Sequence, residues 1–261
     1  MDENRYIRTV IFRHVPKQKD LLKVRNTWGE LKPYIRSWAY PYFLSLLPVG
    51  SFAKGTNLIG NTDIDLFISL KPTMLSSLED IYKNLAGWLR IRWSSVREQN
   101  VSIRLNYKGF NIDLIPGKRQ PKSLYDHSIY CNKFDTWKKT NVYKHIKYVK
   151  DFNRMSEIRT IKIWRNLHKL EFPSFYLELS VINALRGSHR AVVPITRPRT
   201  LANNILKVFN YLYDDFLNTE IVDPSNSDNI VSNDISKKEK QAIKEKAYSA
   251  LIASSWNEII W

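Results

Sequence analysis

The chain has 261 residues, of which 43% are hydrophobic and 13% aromatic, which supports a packed core and excludes a disordered chain. It has no long apolar run, its first residues are charged and it has one cysteine, so we predict a cytoplasmic protein without a membrane span, secretory signal or disulfide. The net charge of +16 favours polyanionic partners: nucleic acid, nucleoside triphosphates or an anionic membrane surface.

The first half of the chain predicts mixed helix and strand. Apolar spacing and the positions of proline and glycine distinguish the elements. The predicted elements are a helix within 17–47 that prolines interrupt, a strand over Ile64–Leu70, a helix over 75–93, and strands over Val101–Tyr107 and Phe110–Ile115 that a Lys108-Gly109 turn joins.

The second half predicts mainly helix. Residues 117–140 are polar and rich in turn formers, and helices follow from about residue 141. One helix is predicted over 156–169, capped by Ser156, and the next over 174–185, capped by Ser174. A third is predicted over 200–218, and a last one follows Ser236, where Glu239 completes a capping box. The sequence therefore predicts an α+β fold with two domains, 1–135 and 136–261.

Three aspartates carry the chemistry. Asp63 and Asp65 lie two apart in a predicted strand and therefore point to the same face. Asp113 lies in a second apolar strand, which could add a third carboxylate if the strands are neighbours. Adjacent carboxylates repel each other unless a cation lies between them, and hard cations such as Mg²⁺ or Mn²⁺ bind oxygen ligands. The pattern predicts a catalytic site with two divalent ions that supports in-line phosphoryl transfer.

A glycine–serine pair precedes the aspartates. Gly50 would let the backbone approach a phosphate, and the Ser51 hydroxyl would hold a phosphate oxygen. The connection to Asp63 includes Lys54 and two glycines, Gly55 and Gly60, which predicts a basic, flexible loop.

The sequence resembles a known superfamily in this region. Gly50-Ser51-Phe52-Ala53-Lys54-Gly55-Thr56-Asn57 followed by Asn61-Thr62-Asp63-Ile64-Asp65-Leu66-Phe67 resembles the DNA polymerase β-like nucleotidyltransferases. Further segments to the end of the chain are similar to the bacterial cGAS/DncV-like nucleotidyltransferases (CD-NTases), which are related to oligoadenylate synthases and archaeal CCA-adding enzymes. The resemblance implies a nucleotidyltransferase core followed by a mainly helical nucleotide-binding domain.

The resemblance implies three further nucleotide-binding residues. Lys162 would contact the triphosphate from its helix, Ser174 would hold a phosphate, and the Phe175 ring would stack on a base. A predicted helix start at Ser174 agrees with an anion site, and an aromatic face agrees with stacking.

Three functions stay open. The first is synthesis of a cyclic or short linear oligonucleotide messenger from nucleoside triphosphates, as bacterial relatives do in antiphage signalling. The second is template-independent terminal transfer to RNA, as in CCA-adding enzymes. The third is a nucleic-acid-binding protein with a vestigial active site. Because the chain ends soon after the first helical domain, we expect small substrates rather than a tRNA.

The basic residues favour nucleic acid as a partner. Lysines interleave with aromatic residues, as in Trp137-Lys138-Lys139 and around Tyr143 and Tyr148. This pattern favours a nucleic-acid activator or an RNA substrate as a partner besides nucleoside triphosphates. The oligomeric state, the nucleotides used and the activating signal are not indicated by the sequence.

Overall fold

A seven-stranded sheet and a set of helices form the protein, which a computed structural model describes over residues 2–59, 63–186 and 200–261. The helices are α1 Glu3–His14, α2 Gln18–Trp38, α3 Gly50–Lys54, α4 Leu78–Arg90, α5 Val142–Asp151, α6 Met155–Leu167, α7 Ser174–Leu185, α8 Leu201–Asp214 and α9 Lys237–Leu251. The strands of the large sheet are β1 Phe43–Pro48, β2 Asp63–Leu70, β3 Arg97–Glu98, β4 Ile103–Tyr107, β5 Phe110–Arg119, β6 His127–Cys131 and β7 Thr136–Thr140. The separate pair is β8 Val222–Asp223 and β9 Asn226–Ile230.

The sheet is organised around the parallel pair β2 and β5. The strand order is β1-β2-β5-β4-β3, and β6 pairs with the distal end of β5 and with β7. The β4–β5 hairpin turns at Lys108 and Gly109, whose φ angles of 51° and 80° suit the predicted two-residue turn. Parallel β2 and β5 thus hold the two aspartate-bearing segments side by side at the centre of the sheet.

Two large hydrophobic cores support this arrangement. One lies between the sheet and helices α2 and α4, and includes Ile35, Tyr82 and Leu114. The other lies among helices α6 to α9, and the N-terminal helix α1 joins it through Ile7 and Val10. The domain boundary after residue 135 stays a prediction, since α1 packs with the C-terminal helices and β7 extends the sheet.

Several predicted elements are confirmed, among them β2, the β4–β5 hairpin and the capping box of Ser236 and Glu239 before α9. The two predicted serine caps are wrong by a residue or more. Helix α6 begins at Met155, after Arg154. Helix α7 begins at Ser174 itself, because the extended backbone of Pro173 occupies the cap position.

The sequence did not predict α1, β1 or the β6–β7 pair. Helix α1 lies in the charged N-terminal segment, and β1 lies between prolines that indicated a broken helix. Strand β7 has a polar, edge-strand composition that periodicity does not detect. Gly60, part of the predicted flexible loop, lies outside the described residues. Within the described ranges, no helix is both long and apolar enough to cross a bilayer.

Candidate active site

The three predicted aspartates lie together on neighbouring strands. Asp65 of β2 is aligned with Asp113 of β5 in the parallel register, and Asp63 is aligned with Asn111. The Asn111 side chain donates a hydrogen bond to Asp63 across 3.1 Å. Because residues two apart on a strand share a face, Asp63 and Asp65 lie on one side of the sheet together with Asp113.

An arginine that sequence reasoning missed joins this cluster. Arg104 of β4 donates from Nε to one oxygen of Asp113 across 2.9 Å and from Nη2 to the other across 2.6 Å. The same Nη2 lies 2.8 Å from an oxygen of Asp63. Arg104 stands directly opposite Asp113 in the hairpin. Counting back from the predicted Lys108-Gly109 turn would have found it.

The charge on Asp65 is the least compensated of the three. Burial, together with the neighbouring Asp113 and Asp63 carboxylates, raises the pKa of Asp65 to about 6 against the opposing effect of Lys54 and Arg104. Asp113 and Asp63, in contrast, both accept hydrogen bonds from Arg104. A positive charge beside Asp65 would therefore be favourable.

The donor set fits a divalent cation, with one rearrangement. Three carboxylates supply the oxygen ligands that Mg²⁺ or Mn²⁺ requires, and the uncompensated charge of Asp65 favours a cation. In the part of the chain that the structure describes, no three His, Cys, Asp or Glu side chains are arranged to hold a metal ion as they stand. Both oxygens of Asp113 instead face the Arg104 guanidinium. Binding an ion through all three aspartates therefore requires Arg104 to release part of its contacts.

Gly50 brings the start of α3 onto this cluster. Its φ is +58°, and a Cβ added there would lie 1.8 Å from Oδ2 of Asp65. The backbone N–H of Val49 donates to the carbonyl oxygen of Asp65 across 2.8 Å. A glycine is therefore required at position 50, and the neighbouring Ser51 is held beside the carboxylates.

A pocket of about 420 Å³ opens from the carboxylates toward the helical half. Its walls include most of the predicted site residues: Gly50, Ser51, Lys54, Asp63, Asp65, Ser174 and Phe175. Asp113 and Lys162 are not on its walls. Sequence reasoning missed further polar residues that line the pocket, among them Lys138, His145, Asp223 and Asn229.

Phe175 faces the pocket between two groups. The Nζ atom of Lys54 lies 4.3 Å from the centroid of the Phe175 ring, and the His145 ring lies 4.5 Å from it. The Ser174 hydroxyl, at the first residue of α7 rather than at its cap, accepts a hydrogen bond from Arg165 across 3.0 Å. The aromatic ring and the hydroxyl that the resemblance implied thus both line the pocket.

His145 is held at the rim by the β8–β9 segment. Its Nε2 atom lies 2.7 Å from an oxygen of Asp223 and 2.7 Å from the Ser225 hydroxyl. Both contacts use the same ring nitrogen, so the three residues do not form a relay of the hydrolase type, which needs both nitrogens. The arrangement instead fixes the orientation of the imidazole ring.

Lys162 belongs to a buried ionic cluster with Lys54 and Glu178, which line the pocket. Its Nζ atom lies 2.7 Å from Glu178 and 3.0 Å from the Thr56 hydroxyl. Lys54 lies 2.8 Å from the other oxygen of Glu178. Burial opposes ionisation of Glu178, but Lys54 and Lys162 lower its pKa to about 2. The Lys162 ammonium, whose side chain is 3% exposed, therefore contacts Glu178 rather than the pocket.

The ionic cluster of Glu178 connects helix α3 with helices α6 and α7, a connection that the sequence did not predict. Lys54 closes α3, Thr56 follows it, and Lys162 and Glu178 lie on helices α6 and α7. The cluster thereby ties the Gly50-Ser51 helix to the helical half across a sequence separation of more than 100 residues. It fixes the distance between the carboxylates and Phe175.

Comparisons with known proteins relate the chain to other proteins by sequence and by fold. No protein-family model matches the sequence. The chain is 26% identical over 216 residues to the CCA-adding enzyme of Thermococcus kodakarensis, a match that covers 70% of this chain and 46% of that enzyme. The chain spans less than half the length of the curated relatives that it matches.

Two solved structures resemble nearly the whole chain. One is CdnC of E. coli MS115-1 with ATP, at 19% identity and a TM-score of 0.78, covering 95% of this chain and 90% of that chain. The other is the CdnE cyclic dinucleotide synthase of Elizabethkingia meningoseptica with GTP and Apcpp, at 15% identity and a TM-score of 0.72, covering 97% of this chain and all of that chain. The predicted fold is therefore confirmed: this chain has the polymerase β-like nucleotidyltransferase fold, in the form seen in the bacterial CD-NTases.

Proposed function

We propose that this protein is a metal-dependent nucleotidyltransferase that joins nucleoside triphosphates into a cyclic or short linear oligonucleotide. One observation carries the proposal: Asp63 and Asp65 open, beside Asp113, into a pocket that also holds Ser51 and Phe175. Carboxylates at one end, a hydroxyl beside them and an aromatic ring opposite match the triphosphate and base of a nucleotide. The CD-NTase fold supports the same assignment.

Different pocket residues would bind the metal ions, the phosphates and the base. Asp63, Asp65 and Asp113 would hold two divalent ions, which when bound stabilise negative charge on the attacking and leaving oxygens. The Ser51 hydroxyl would donate to a phosphate oxygen, and the Phe175 ring would stack on the base. Lys54 would keep its contacts with Glu178 and Phe175 and so add positive charge to the pocket wall.

The reaction is a single displacement at the α-phosphorus. A ribose hydroxyl of one nucleotide forms a bond to the α-phosphorus of a triphosphate, and the bond from that phosphorus to the bridging oxygen breaks. Pyrophosphate leaves, and the hydroxyl proton is released to solvent. Repetition within one product joins further nucleotides or closes a ring.

The phosphate role implied for Lys162 is revised in this proposal. Its ammonium is engaged by Thr56 and Glu178, so we assign it to support of the Gly50-Ser51 helix rather than to direct contact with a triphosphate. A role in antiphage signalling remains a hypothesis from the resemblance.

Terminal transfer to RNA is the second candidate. The observation that favours it is the similarity to a CCA-adding enzyme over 70% of this chain. A vestigial enzyme is disfavoured, because the chain retains all three aspartates side by side. It also retains Gly50, where any other side chain would collide with Asp65.

One assay tests the proposal. Purified protein is incubated with the four labelled nucleoside triphosphates and Mg²⁺ or Mn²⁺, with and without tRNA, and products are resolved by size before and after phosphatase treatment. We expect a small product without RNA, and phosphatase resistance would identify a ring. Label that migrates only with tRNA would favour terminal transfer.

A matched pair of variants controls this assay. Asp63→Asn with Asp65→Asn removes two carboxylates of the cluster and should abolish nucleotide transfer. Asp151→Asn removes an exposed carboxylate on α5, whose partner is Lys147, and should leave transfer unchanged. Wild-type consumption of nucleotides by the Asp63/Asp65 double variant would overturn the proposal.

A further inference from the structure

Residues 117–154 carry much of the positive charge of the chain. This segment has ten Lys and Arg residues against three Asp and no Glu, a net charge of +7 out of +16. Two of its aspartates are neutralised within the segment: Asp126 lies 3.2 Å from Lys139, and Asp151 lies 2.6 Å from Lys147. The remaining lysines of the segment form no ion pair with a described residue, so a strong positive potential faces solvent here.

Large aromatic rings are exposed on the same segment. Phe134 is 66% exposed, Trp137 is 58% exposed and Tyr125 is 50% exposed. Tyr143 is 43% exposed, and its ring lies 4.8 Å from that of Tyr125. Four exposed rings within 19 residues of sequence are unusual for a surface that has no partner.

Strand β7 and its contacts connect these groups. Trp137 and Lys139 are two apart and share one face of the strand, about 6.6 Å apart along it. Lys139 contacts Asp126, the neighbour of Tyr125, and Tyr125 contacts Tyr143 at the start of α5. We call the group formed by Lys133, Phe134, Trp137, Lys139, Tyr125 and Tyr143 the aromatic–lysine strip.

The strip lies on the reverse of the pocket wall. Lys138 and Thr140, which alternate with Trp137 and Lys139 in β7, line the pocket. Among the described strands β7 pairs with β6 alone, so it is an edge strand. A ligand on the strip would therefore contact the strand that forms one side of the nucleotide pocket without entering it.

We propose that the aromatic–lysine strip binds single-stranded nucleic acid. Lysines attract the phosphates, and the exposed rings on and beside β7 offer stacking faces for unpaired bases. A duplex has no free base faces and would contact the lysines alone. This inference goes beyond the proposed function and does not depend on it.

Fluorescence anisotropy of a labelled 20-nucleotide single-stranded RNA tests the proposal, with the same sequence as a duplex for comparison. We expect the single strand to bind more tightly than the duplex, and Trp137→Ala to weaken its binding about tenfold by removing one stacking face. Raising the salt from about 50 to about 200 mM should weaken binding about sevenfold if the two lysines of the strip neutralise phosphates. Trp137→Phe keeps a ring and should retain most of the affinity.

Tyr248→Ala is the matched control. Tyr248 is 46% exposed and packs against Tyr213, over which Lys244 lies, so it is an aromatic–lysine group outside the strip. It should bind the RNA like the wild type. Equal loss of affinity in Trp137→Ala and Tyr248→Ala, or equal binding of duplex and single strand, would overturn the proposal.

Two further measurements separate the alternatives. Vesicles containing phosphatidylserine are tested in competition, and preferential binding to them would overturn the proposal in favour of a membrane surface. The Asp63→Asn and Asp65→Asn double variant should bind the RNA normally. A wild-type protein that binds the RNA but transfers no nucleotide would count against the proposed function alone.

Discussion

Two ionic clusters flank the pocket, and they differ in how completely their charges are compensated. In the cluster of Glu178 with Lys54 and Lys162, one carboxylate is enclosed by two ammonium groups and is 1% exposed. In the cluster of the three aspartates, one guanidinium that is 30% exposed, that of Arg104, contacts Asp63 and Asp113, and Asp65 forms no ion pair with a described residue. The first has the properties of a permanent joint between two parts of the fold. The second has an excess of negative charge that a further cation would relieve.

The largest expected effect on stability comes from removing the buried carboxylate of Glu178. Glu178→Leu leaves the two lysines buried without a counter-charge, and the free energy of unfolding should fall by about 3–5 kcal/mol. Urea denaturation measures the change. Adding Lys162→Met to Glu178→Leu should restore part of the loss, because it removes one uncompensated charge. A Glu178→Leu protein as stable as the wild type would mean that the cluster does not hold the two parts together.

The glycine over Asp65 gives the next largest effect. Gly50→Ala places a Cβ 1.8 Å from Asp65 Oδ2 at a φ of +58°, so either α3 or the carboxylate must move. We expect a loss of about 2–3 kcal/mol of stability and loss of nucleotide transfer.

Gly29→Ala is the control for this variant. Gly29 lies inside α2, and a Cβ there meets no atom within 4 Å. The substitution should stabilise the protein by about 0.5–1 kcal/mol, because alanine is the better helix former. Both changes are read from thermal or urea unfolding. Equal behaviour of the two alanine variants would show that Asp65 and α3 can separate freely.

Features that depend on residues close in sequence could be predicted, and features that depend on residues far apart in sequence could not. Asp63, Asp65 and Asp113 could be predicted because strand alternation and a two-residue turn are local. Glu178 could not be linked to Lys54, which is 124 residues away in sequence, because only the packing of α5 against both α3 and α7 brings them together.

The missed strands have a similar explanation. Strand β7 reads Thr-Trp-Lys-Lys-Thr and has no apolar alternation, since it forms an edge whose partners come from β6 alone among the described strands. The predicted cap at Ser174 failed because Pro173, with its fixed φ, can itself occupy the cap position. Local composition thus predicts which residues carry the chemistry better than it predicts what surrounds them.

A third carboxylate, Asp223 at the pocket rim, is stabilised by its hydrogen bond with His145. Burial opposes ionisation of Asp223, but its hydrogen bond with His145 lowers the pKa to about 2, from an ordinary value of 3.8. A carboxyl with a lowered folded pKa contributes stability above its unfolded pKa, and that stability is lost as the pH falls through the folded value. We expect a loss of about 2 kcal/mol between pH 4 and pH 2.

Asp223→Asn isolates this contribution. The variant should be less stable than the wild type at pH 6, and the difference should shrink as the pH falls below 4. Urea unfolding at pH 6, 4 and 3 measures it. Asp228→Asn, which changes an exposed carboxyl on β9, is the control and should follow the wild type. A difference for Asp223→Asn that is constant with pH would rule out the ionic origin.

The smallest effect on stability, and the sharpest test of the comparison, is expected for Arg104→Gln. The guanidinium and a divalent ion compete for oxygens of Asp63 and Asp113. Removing its charge should lower stability in EDTA by about 1 kcal/mol, because the three carboxylates then repel one another. For the same reason Mn²⁺ should bind about tenfold more tightly. Electron paramagnetic resonance of free Mn²⁺ measures this without nucleotide.

Arg104→Lys distinguishes charge from geometry. Lysine keeps the positive charge but cannot make the paired contacts of Nε and Nη2 with Asp113. If competition between cations sets the affinity, Arg104→Lys should bind Mn²⁺ nearly as the wild type does. If Arg104 instead holds Asp113 in position as a ligand, both variants should bind Mn²⁺ more weakly. Weaker Mn²⁺ binding by Arg104→Gln would contradict the comparison of the two clusters. Arg104 would then hold its carboxylates in place, as Lys162 holds Glu178, rather than give way to a metal ion.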